Sequence, residues 1–485
     1  MSRRSGAMTF FFDAASCSGC KACEVACMDR HGLEVGRLWR RVSEVTGGGW
    51  ERDGVAWRNT VFAYHLSISC NHCERPICLE GCPTRAIGRR DDGVVLIEAD
   101  RCMGCGYCAW LCPYGAPQYQ ADLGVMTKCS FCVEDLDAGG EPACVTACPV
   151  RALDAGECGQ LAERHRTGDI AADFAPLPAR ELTEPALLMV PHAEASRSSE
   201  PDVELAPRPP RGLREWTLVA FTLLSQTAAG LTLFAGGLRW WLGGGGGSRD
   251  LDLAALPVVM GLLATAICGS LLHLGRKRNA LRALSNLRSS WLSREILTAL
   301  VLLGLTALAW WTTLRLEAAA VRAWAGWITV PVAVLFLLGI TRVYMQRTVP
   351  VWNHWRTPWA FTATAVLMGG WVTNVVLWTM GSLSFERTRG ASLLVLTVCV
   401  VAAGVAWVVP NMQQRTSRSG RITGSVAGVF SAVAGLALLA LLVLQTEPPL
   451  GPTPVVLSWV ALALALIDQL ARRRDFFARY ERLGV

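Results

Sequence analysis

The sequence predicts two structural classes in one chain: an α+β module built on cysteines over residues 1–192, then an all-α bundle of eight transmembrane helices over residues 213–485. Three observations lead there. Sixteen of the nineteen cysteines fall into four tight groups before residue 150. The stretch AEASRSSEPDVELAPRPPRG at 193–212 is rich in proline, serine and charge, cannot bury a core, and reads as a linker. Beyond it, apolar runs of about twenty residues, the length that crosses a hydrocarbon core as helix, recur to the end of the chain.

The first cysteine group is Cys17, Cys20, Cys23 and Cys27 in CSGCKACEVAC, and the second is Cys70, Cys73, Cys78 and Cys82. The third is Cys102, Cys105, Cys108 and Cys112 in CMGCGYCAWLCP. The fourth, Cys129, Cys132, Cys144 and Cys148, keeps the C-x2-C start and the C-x3-C-P end with eleven residues between them. Thiolates two and three residues apart reach successive irons of one cubane, and a fourth cysteine followed by proline turns toward a neighbouring cluster. All sixteen cysteines are therefore expected as iron ligands of four [4Fe-4S] clusters, arranged as two ferredoxin-like pairs. Structural zinc prefers two separated C-x2-C knuckles, and disulfides need an oxidising compartment, so both fit less well. Internal repetition agrees with a doubled module: CPTRAI begins at Cys82 and CPVRAL at Cys148.

Within the module, the insertion from Met28 to Ser69 carries Trp39, Trp50 and Trp57 and is expected to form strands that cover a cluster pair or face a partner. His31, His65 and His72 lie near cysteine groups and are expected to pack rather than ligate, because the sixteen ligand places are taken. Cys158 stands outside every group and reads as a spare thiol. Met1 to Ala15 lacks an apolar core of the length a secretion signal needs, and Arg3 and Arg4 read as an ordinary basic start.

Charge divides the chain as sharply as the cysteines do. Residues 1–212 carry minus 7 and residues 213–485 plus 14, and the second part is the apolar one. That combination predicts membrane loops rather than a nucleic-acid surface. The eight runs are Trp216 to Gly236, Leu253 to Leu274, Ser293 to Thr313, Trp324 to Tyr344, Pro358 to Trp378, Ala391 to Pro410, Ile422 to Leu444 and Val455 to Leu470. Fifteen of the nineteen tryptophans lie in this part, many at run ends such as Trp240, Trp310, Trp352 and Trp355, as an interfacial belt requires. The five glycines from Gly243 to Gly247 read as a loop. Eight spans put both termini on one side; twenty Lys and Arg flank that side and six the other, so the cysteine module is expected in the cytoplasm, at the inner membrane.

Two polar residues stand out at the membrane. His273 ends the second run in LLHLG and Glu295 opens the third in SWLSREIL, both on the module's side. A histidine and a carboxylate at one depth can hold the two hydroxyls of a quinol and take its protons. The alternative is that His273 caps a helix end and Glu295 pairs with Arg294 or Arg278. Only His273 and His354 are available as haem ligands in the membrane half, which excludes a two-haem anchor. Asp468 reads as an interfacial polar residue.

With these motifs in place, the chain resembles two subunits of dimethyl sulfoxide reductase-type molybdoenzymes joined end to end. Residues 8–192 are similar to the four-cluster iron-sulfur subunit in all four group spacings. Residues 213–485 are similar to the eight-span anchor through EWTLVAFTLLSQ, HLG followed by SWLSREI, and RTVPVWNHWRTP. The resemblance implies an anchor that oxidises menaquinol from the membrane pool without haem, with His273 and Glu295 at the quinol site. It also implies a separate molybdopterin-containing catalytic subunit as partner. Cluster pairing carried over from the family would give Cys17, Cys20, Cys23 with Cys148, and Cys129, Cys132, Cys144 with Cys27. The second pair would be Cys70, Cys73, Cys78 with Cys112, and Cys102, Cys105, Cys108 with Cys82. Some relatives carry tryptophan at the position of Cys105 and a three-iron cluster; cysteine here points to four cubanes. The best-known members face the periplasm, whereas the arginine count in this chain points inward.

The resulting expectation is a membrane electron-transfer subunit running from menaquinol to a reductase. The same relay can run in reverse, from a formate or sulfur-compound dehydrogenase to quinone, and a scaffold with structural clusters is a third reading. No nucleotide-binding glycine fingerprint or pterin-binding domain is present, so terminal catalysis is expected on the partner.

Overall fold

The computed structural model describes residues 6–166, 176–196, 202–203, 213–242, 246–315, 319–380, 385–411, 432–433, 435–444, 452–478 and 480. In chain order the N-terminal unit runs β1 (Met8–Asp13), α1 (Ala22–Arg30), β2 (Arg41–Gly47), β3 (Trp50–Asp53), β4 (Ala56–Asn59), β5 (Phe62–Ile68), α2 (Ile77–Gly81), β6 (Ile87–Arg89), β7 (Val95–Ile97), α3 (Tyr107–Leu111), β8 (Gln118–Gln120), β9 (Val125–Thr127), α4 (Val133–Asp137), α5 (Ala143–Thr146), β10 (Leu153–Glu157), α6 (Cys158–Arg164), β11 (Leu187–Val190) and β12 (Asp202–Val203).

It is a ferredoxin-type α+β unit of short pieces. β1 is MTFFFD, and its Phe10, Phe11 and Phe12 are all buried because both faces of the strand are covered. It pairs antiparallel with β10, just past the last cysteine group, and parallel with β11 from the extension beyond residue 151. Start and end of the unit are thereby tied into one sheet. The insertion forms strands: β2 and β5 pair over seven residues and bury Val42, Val45, Tyr64 and Leu66, while β3 and β4 make an exposed hairpin. Asp202 and Val203 pair with Thr46 and Val45, so two residues of the stretch expected as linker extend this sheet. The free edge of β2 explains the recruitment: an unpaired edge takes a third strand when chain is at hand.

The membrane part follows as α7 (Leu213–Leu242), α8 (Gly246–Leu271), α9 (Trp291–Arg315), α10 (Ala319–Tyr344), α11 (Arg356–Met380), α12 (Phe385–Asn411), α13 (Gly435–Leu444) and α14 (Thr453–Ala478). Among the described residues, six helices are long and apolar enough to cross a membrane: α7 to α11, and α14. The sixth expected run falls on α12. The seventh lies outside the described residues except for 432–433 and α13. Of the five-glycine run, Gly246 already opens α8; residues 243–245 are outside the description.

Small residues set the closest packing. Gly230 in α7 lies against Ala365 and Gly369 in α11, where a Cβ on either glycine would strike the opposing backbone. At the far end of the same helix, Arg239 is buried and pairs with Asp252 of α8 while donating to the Gly326 carbonyl of α10. Helix contacts without such anchors have little hydrophobic drive in lipid, so close backbones and buried polar pairs carry the specificity.

Candidate cluster sites and a cavity at the membrane seam

The sixteen cysteines sort into four neighbourhoods by the charges that act on each thiol. Cys17 is acted on by Cys148 and Cys20, and Cys23 by Cys17. Cys27 is acted on by Cys144 and Cys132, and Cys129 by Cys27 and Cys144. Cys73 and Cys78 both sense Cys70 and Cys112. Cys108 senses Cys105, Cys82 and Cys102, and Cys102 senses Cys82. Links between neighbourhoods run from Cys23 to Cys144, from Cys129 to Cys70 and from Cys108 to Cys78, which sets them in one line. Burial pushes the Cys17, Cys23, Cys73, Cys102 and Cys108 thiols up, and Cys27 to about 12 with Cys144 and Cys132 adding to it. Iron binding is what would hold such thiols as thiolates.

The donor set fits iron-sulfur cubanes. Cys17, Cys20, Cys23 and Cys148 line one small cavity walled by Phe12, Val42 and Leu153. Backbone N–H groups point at cysteine sulfurs: Ala86 to Cys82 at 3.3 Å, and Gly104 and Met126 to Cys102 and Phe131 to Cys129 at 3.4 Å. Among the described residues no three His, Cys, Asp or Glu side chains converge on one metal-ion position. A zinc site would bring its sulfurs to about 2.3 Å from a single point, whereas each cubane iron takes its own cysteine.

Polar side chains back these thiols. His31 Nε2 lies 3.3 Å from Cys132 Sγ and its ring packs on Trp39. His72 is buried, with Nδ1 accepting the Val95 N–H at 3.0 Å; burial, then Lys128, holds it well below the usual histidine range. Two cations are buried among the cysteines. Arg40 donates to Ser67 Oγ at 3.2 Å and Ser69 Oγ at 3.0 Å, and Ser67 Oγ in turn lies 3.5 Å from Cys23 Sγ. Lys128 Nζ donates to the Val95 and Cys129 carbonyls. Cys158 packs with Phe11, Leu161 and Leu188 away from the cysteine groups.

At the other end of the line a second, larger cavity opens between module and membrane helices. The module contributes Met103, Cys105, Tyr107 and Trp110; the anchor contributes His273, Glu295, Ile296, Leu218, Phe221 and Tyr344. Both polar residues singled out in the sequence therefore face one space, together with a cysteine of the third group. Glu295 is 2% exposed and its Oε1 has no hydrogen-bond partner among the described residues, while Arg294 spends donors on the Leu287 and Arg288 carbonyls. The Glu295–Arg294 pair held open as an alternative is not formed. Burial, then the nearby Glu295 charge, pushes the Tyr107 phenol up, so it stays protonated and meets Gln346 Nε2 at 2.8 Å.

The loop that joins α8 to α9 holds the seam. Asn279 Nδ2 donates to the Asp100 and Cys102 carbonyls at 2.8 and 2.9 Å, and Asn286 Nδ2 to the Glu80 and Cys82 carbonyls, both at 2.9 Å. Arg276 reaches Leu123 and Ala99 carbonyls, and Ser290 the Gly81 carbonyl. Gly275 sits against Gly104 and Gly124, where any Cβ would collide with the Gly124 carbonyl. Trp110 adds an edge-on ring contact to Trp352 and a 2.7 Å bond from Thr348 to its carbonyl. Sequence reasoning missed Tyr344, Asn279, Asn286, Arg40 and Lys128. For the asparagines a faint signal exists, in their seven-residue spacing within the loop bracketed by His273 and Glu295. Asp468, read as interfacial, is buried and bonded to Arg472 and Gln469.

Comparison with known proteins agrees with this geometry. Residues 61–158 match the 4Fe-4S dicluster domain, and residues 210–473 match the DMSO reductase anchor subunit (DmsC) family. An anaerobic dimethyl sulfoxide reductase polypeptide of Escherichia coli (strain K12) is 47% identical over 186 residues, 38% of this chain and 89% of that protein. The formate dehydrogenase iron-sulfur subunit of Wolinella succinogenes is 34% identical over 172 residues, 30% of this chain and 80% of that protein. For a sulfite dehydrogenase polypeptide of Allochromatium vinosum the values are 34% over 167 residues, 30% and 66%. With its cysteine module, its docked membrane helices and a match across more than half its length, the chain belongs to the DMSO reductase anchor subunit family, with a DMSO reductase-type iron-sulfur subunit fused ahead of the anchor.

Proposed function

We propose that the chain oxidises menaquinol in the seam cavity and delivers the electrons to a separate molybdopterin catalytic subunit, with His273 and Glu295 as the quinol-site residues. The observation that carries this reading is that Cys105, His273 and Glu295 line one cavity. Held by the four cysteine neighbourhoods, four [4Fe-4S] clusters supply one-electron transfer between cavity and partner. Quinol oxidation releases two electrons and two protons. Glu295 Oε1 and the His273 ring accept those protons from the two hydroxyls, which is general-base work. Leu218, Phe221 and Ile296 exclude water and fit the apolar body of the ring, as expected for a cofactor-sized pocket. Tyr107, kept neutral and held by Gln346, borders the head group without adding charge.

The DMSO reductase relatives imply a catalytic partner and favour reduction as the outcome. Formate and sulfite dehydrogenase relatives favour the reverse direction, the same relay feeding quinone. Domain limits of 1–192 and 213–485 accompany the reading, as does a cytoplasmic module supported by the arginine bias of the loops. On that side, quinol protons and electrons leave together and turnover builds no proton gradient. The test is EPR on the purified protein mixed with a reduced menaquinol analogue. Cluster signals of the reduced state are expected within one turnover; intact oxidised clusters that the analogue leaves unreduced overturn the quinol reading.

A further inference from the structure

Arg40 and Lys128 are 3% and 4% exposed, yet among the described residues neither forms an ion pair with a carboxylate. Their hydrogen bonds go to serine hydroxyls and carbonyls, and to the side chains of Cys144 from Arg40 and Cys70 from Lys128. A buried cation without an anion is costly, so compensation must come from elsewhere. The anions at hand are cysteine sulfurs, and each cation faces two neighbourhoods at once. Arg40 acts on Cys23 of the first and on Cys144 and Cys129 of the second. Lys128 acts on Cys129 of the second and on Cys70 and Cys78 of the third. Each cation thus occupies a junction between successive members of the line.

We propose that Arg40 and Lys128 are positioning charges for the relay: each stabilises the reduced state of the clusters on both sides of its junction and so raises both reduction potentials. The inference rests on the four-cluster reading. Its physics is direct. One-electron reduction adds one negative charge to a cluster, and a fixed positive charge shared by two neighbours favours that state in both. At the end of the line, beside Cys102, the anchor supplies a cation of its own: Arg276, seated by the Leu123 and Ala99 carbonyls and 3.5 Å from Asp100 Oδ1, acts on Cys102. The quinol-side member of the line is therefore tuned by the membrane part, and the inner members by the module itself.

The experiment is an EPR-monitored redox titration of the full membrane complex, comparing Lys128→Met with Lys128→Arg and Arg40→Met with Arg40→Lys. Neutral variants are expected to lower the reduced-to-oxidised ratio at fixed potential at least tenfold, about 60 mV for a one-electron step. Lys128→Met does so for the clusters at Cys129 and Cys70, and Arg40→Met for those at Cys23 and Cys129. Charge-keeping variants stay within threefold of the parent. Loss of clusters in Lys128→Met with full assembly in Lys128→Arg also supports the proposal, because only charge differs in kind. Unchanged potentials in a neutral variant that holds all its clusters overturn it, as does equal loss of clusters in both Lys128 variants. A parent protein without four clusters overturns the cluster reading instead, and iron content separates the two failures.

Discussion

Glu295, at the start of a membrane helix, and Cys105, in the cysteine module, line the same cavity. One residue belongs to the part of the chain made for lipid and the other to the part made for metal. The loop from Gly275 to Ser290 makes that meeting possible. It leaves the membrane just after His273, crosses the module at the carbonyls of Cys82 and Cys102, and returns just before Glu295. Cavity and cysteines are therefore held by one stretch of backbone, and their separation is set by hydrogen bonds rather than by flexible docking.

Asn279 and Asn286 carry most of that fixing. Each side-chain amide serves two carbonyls, and both residues are buried. Truncation leaves those carbonyls without a partner and costs about 1–3 kcal/mol for each residue. Asn279→Ala combined with Asn286→Ala is expected to slow quinol-dependent cluster reduction at least tenfold while dithionite still reduces every cluster. Equal rates in the double variant and the parent would show that the loop does not set the electron-transfer distance.

A pH dependence belongs to the sheet that closes the module. Asp154 accepts from His165 and Arg164 at 2.8 Å each and from the Ala155 N–H, and the His165 ring stacks on Phe11. Burial pushes the Asp154 carboxyl up, but those hydrogen bonds outweigh it and hold it below the usual carboxylate range. A depressed carboxyl contributes stability that is complete above its unfolded value, about pH 4, and is lost as pH falls through the lower folded value. Protease sensitivity of α6 should therefore rise below about pH 4 in the parent, and Asp154→Asn should show that sensitivity already at neutral pH. An acid response identical in parent and variant would remove Asp154 from its cause.

Much of this was legible in the sequence for a plain reason. Cysteine spacing is a local property, so the four groups could be read from Cys17 to Cys148 without a fold. Glu295 was legible because a carboxylate in an apolar run is costly enough to demand a reason. Pairing of β1 with β11 joins residues about 180 apart, and no local pattern announces it. Tyr344 enters the sequence only as the last residue of the fourth apolar run; the fold brings it beside Trp110 of the module and into the cavity. Nothing local sets Arg40 and Lys128 apart from the many cations that lie at protein surfaces; what surrounds them includes cysteines distant in sequence, Cys129 and Cys144 for Arg40 and Cys70 and Cys78 for Lys128. The stretch 193–212 read as linker from composition, yet two of its residues complete a sheet edge that composition does not reveal.

The most direct test of the central claim, that the seam cavity feeds electrons from quinol into the cysteine module, is freeze-quench EPR on Glu295→Gln beside the parent. Gln keeps the shape of the side chain and removes its ability to take a proton. The account predicts that a reduced menaquinol analogue reduces the parent's clusters within milliseconds to seconds, and those of Glu295→Gln at least a hundredfold more slowly, while dithionite reduces both alike. Equal reduction by the analogue in parent and variant would contradict it.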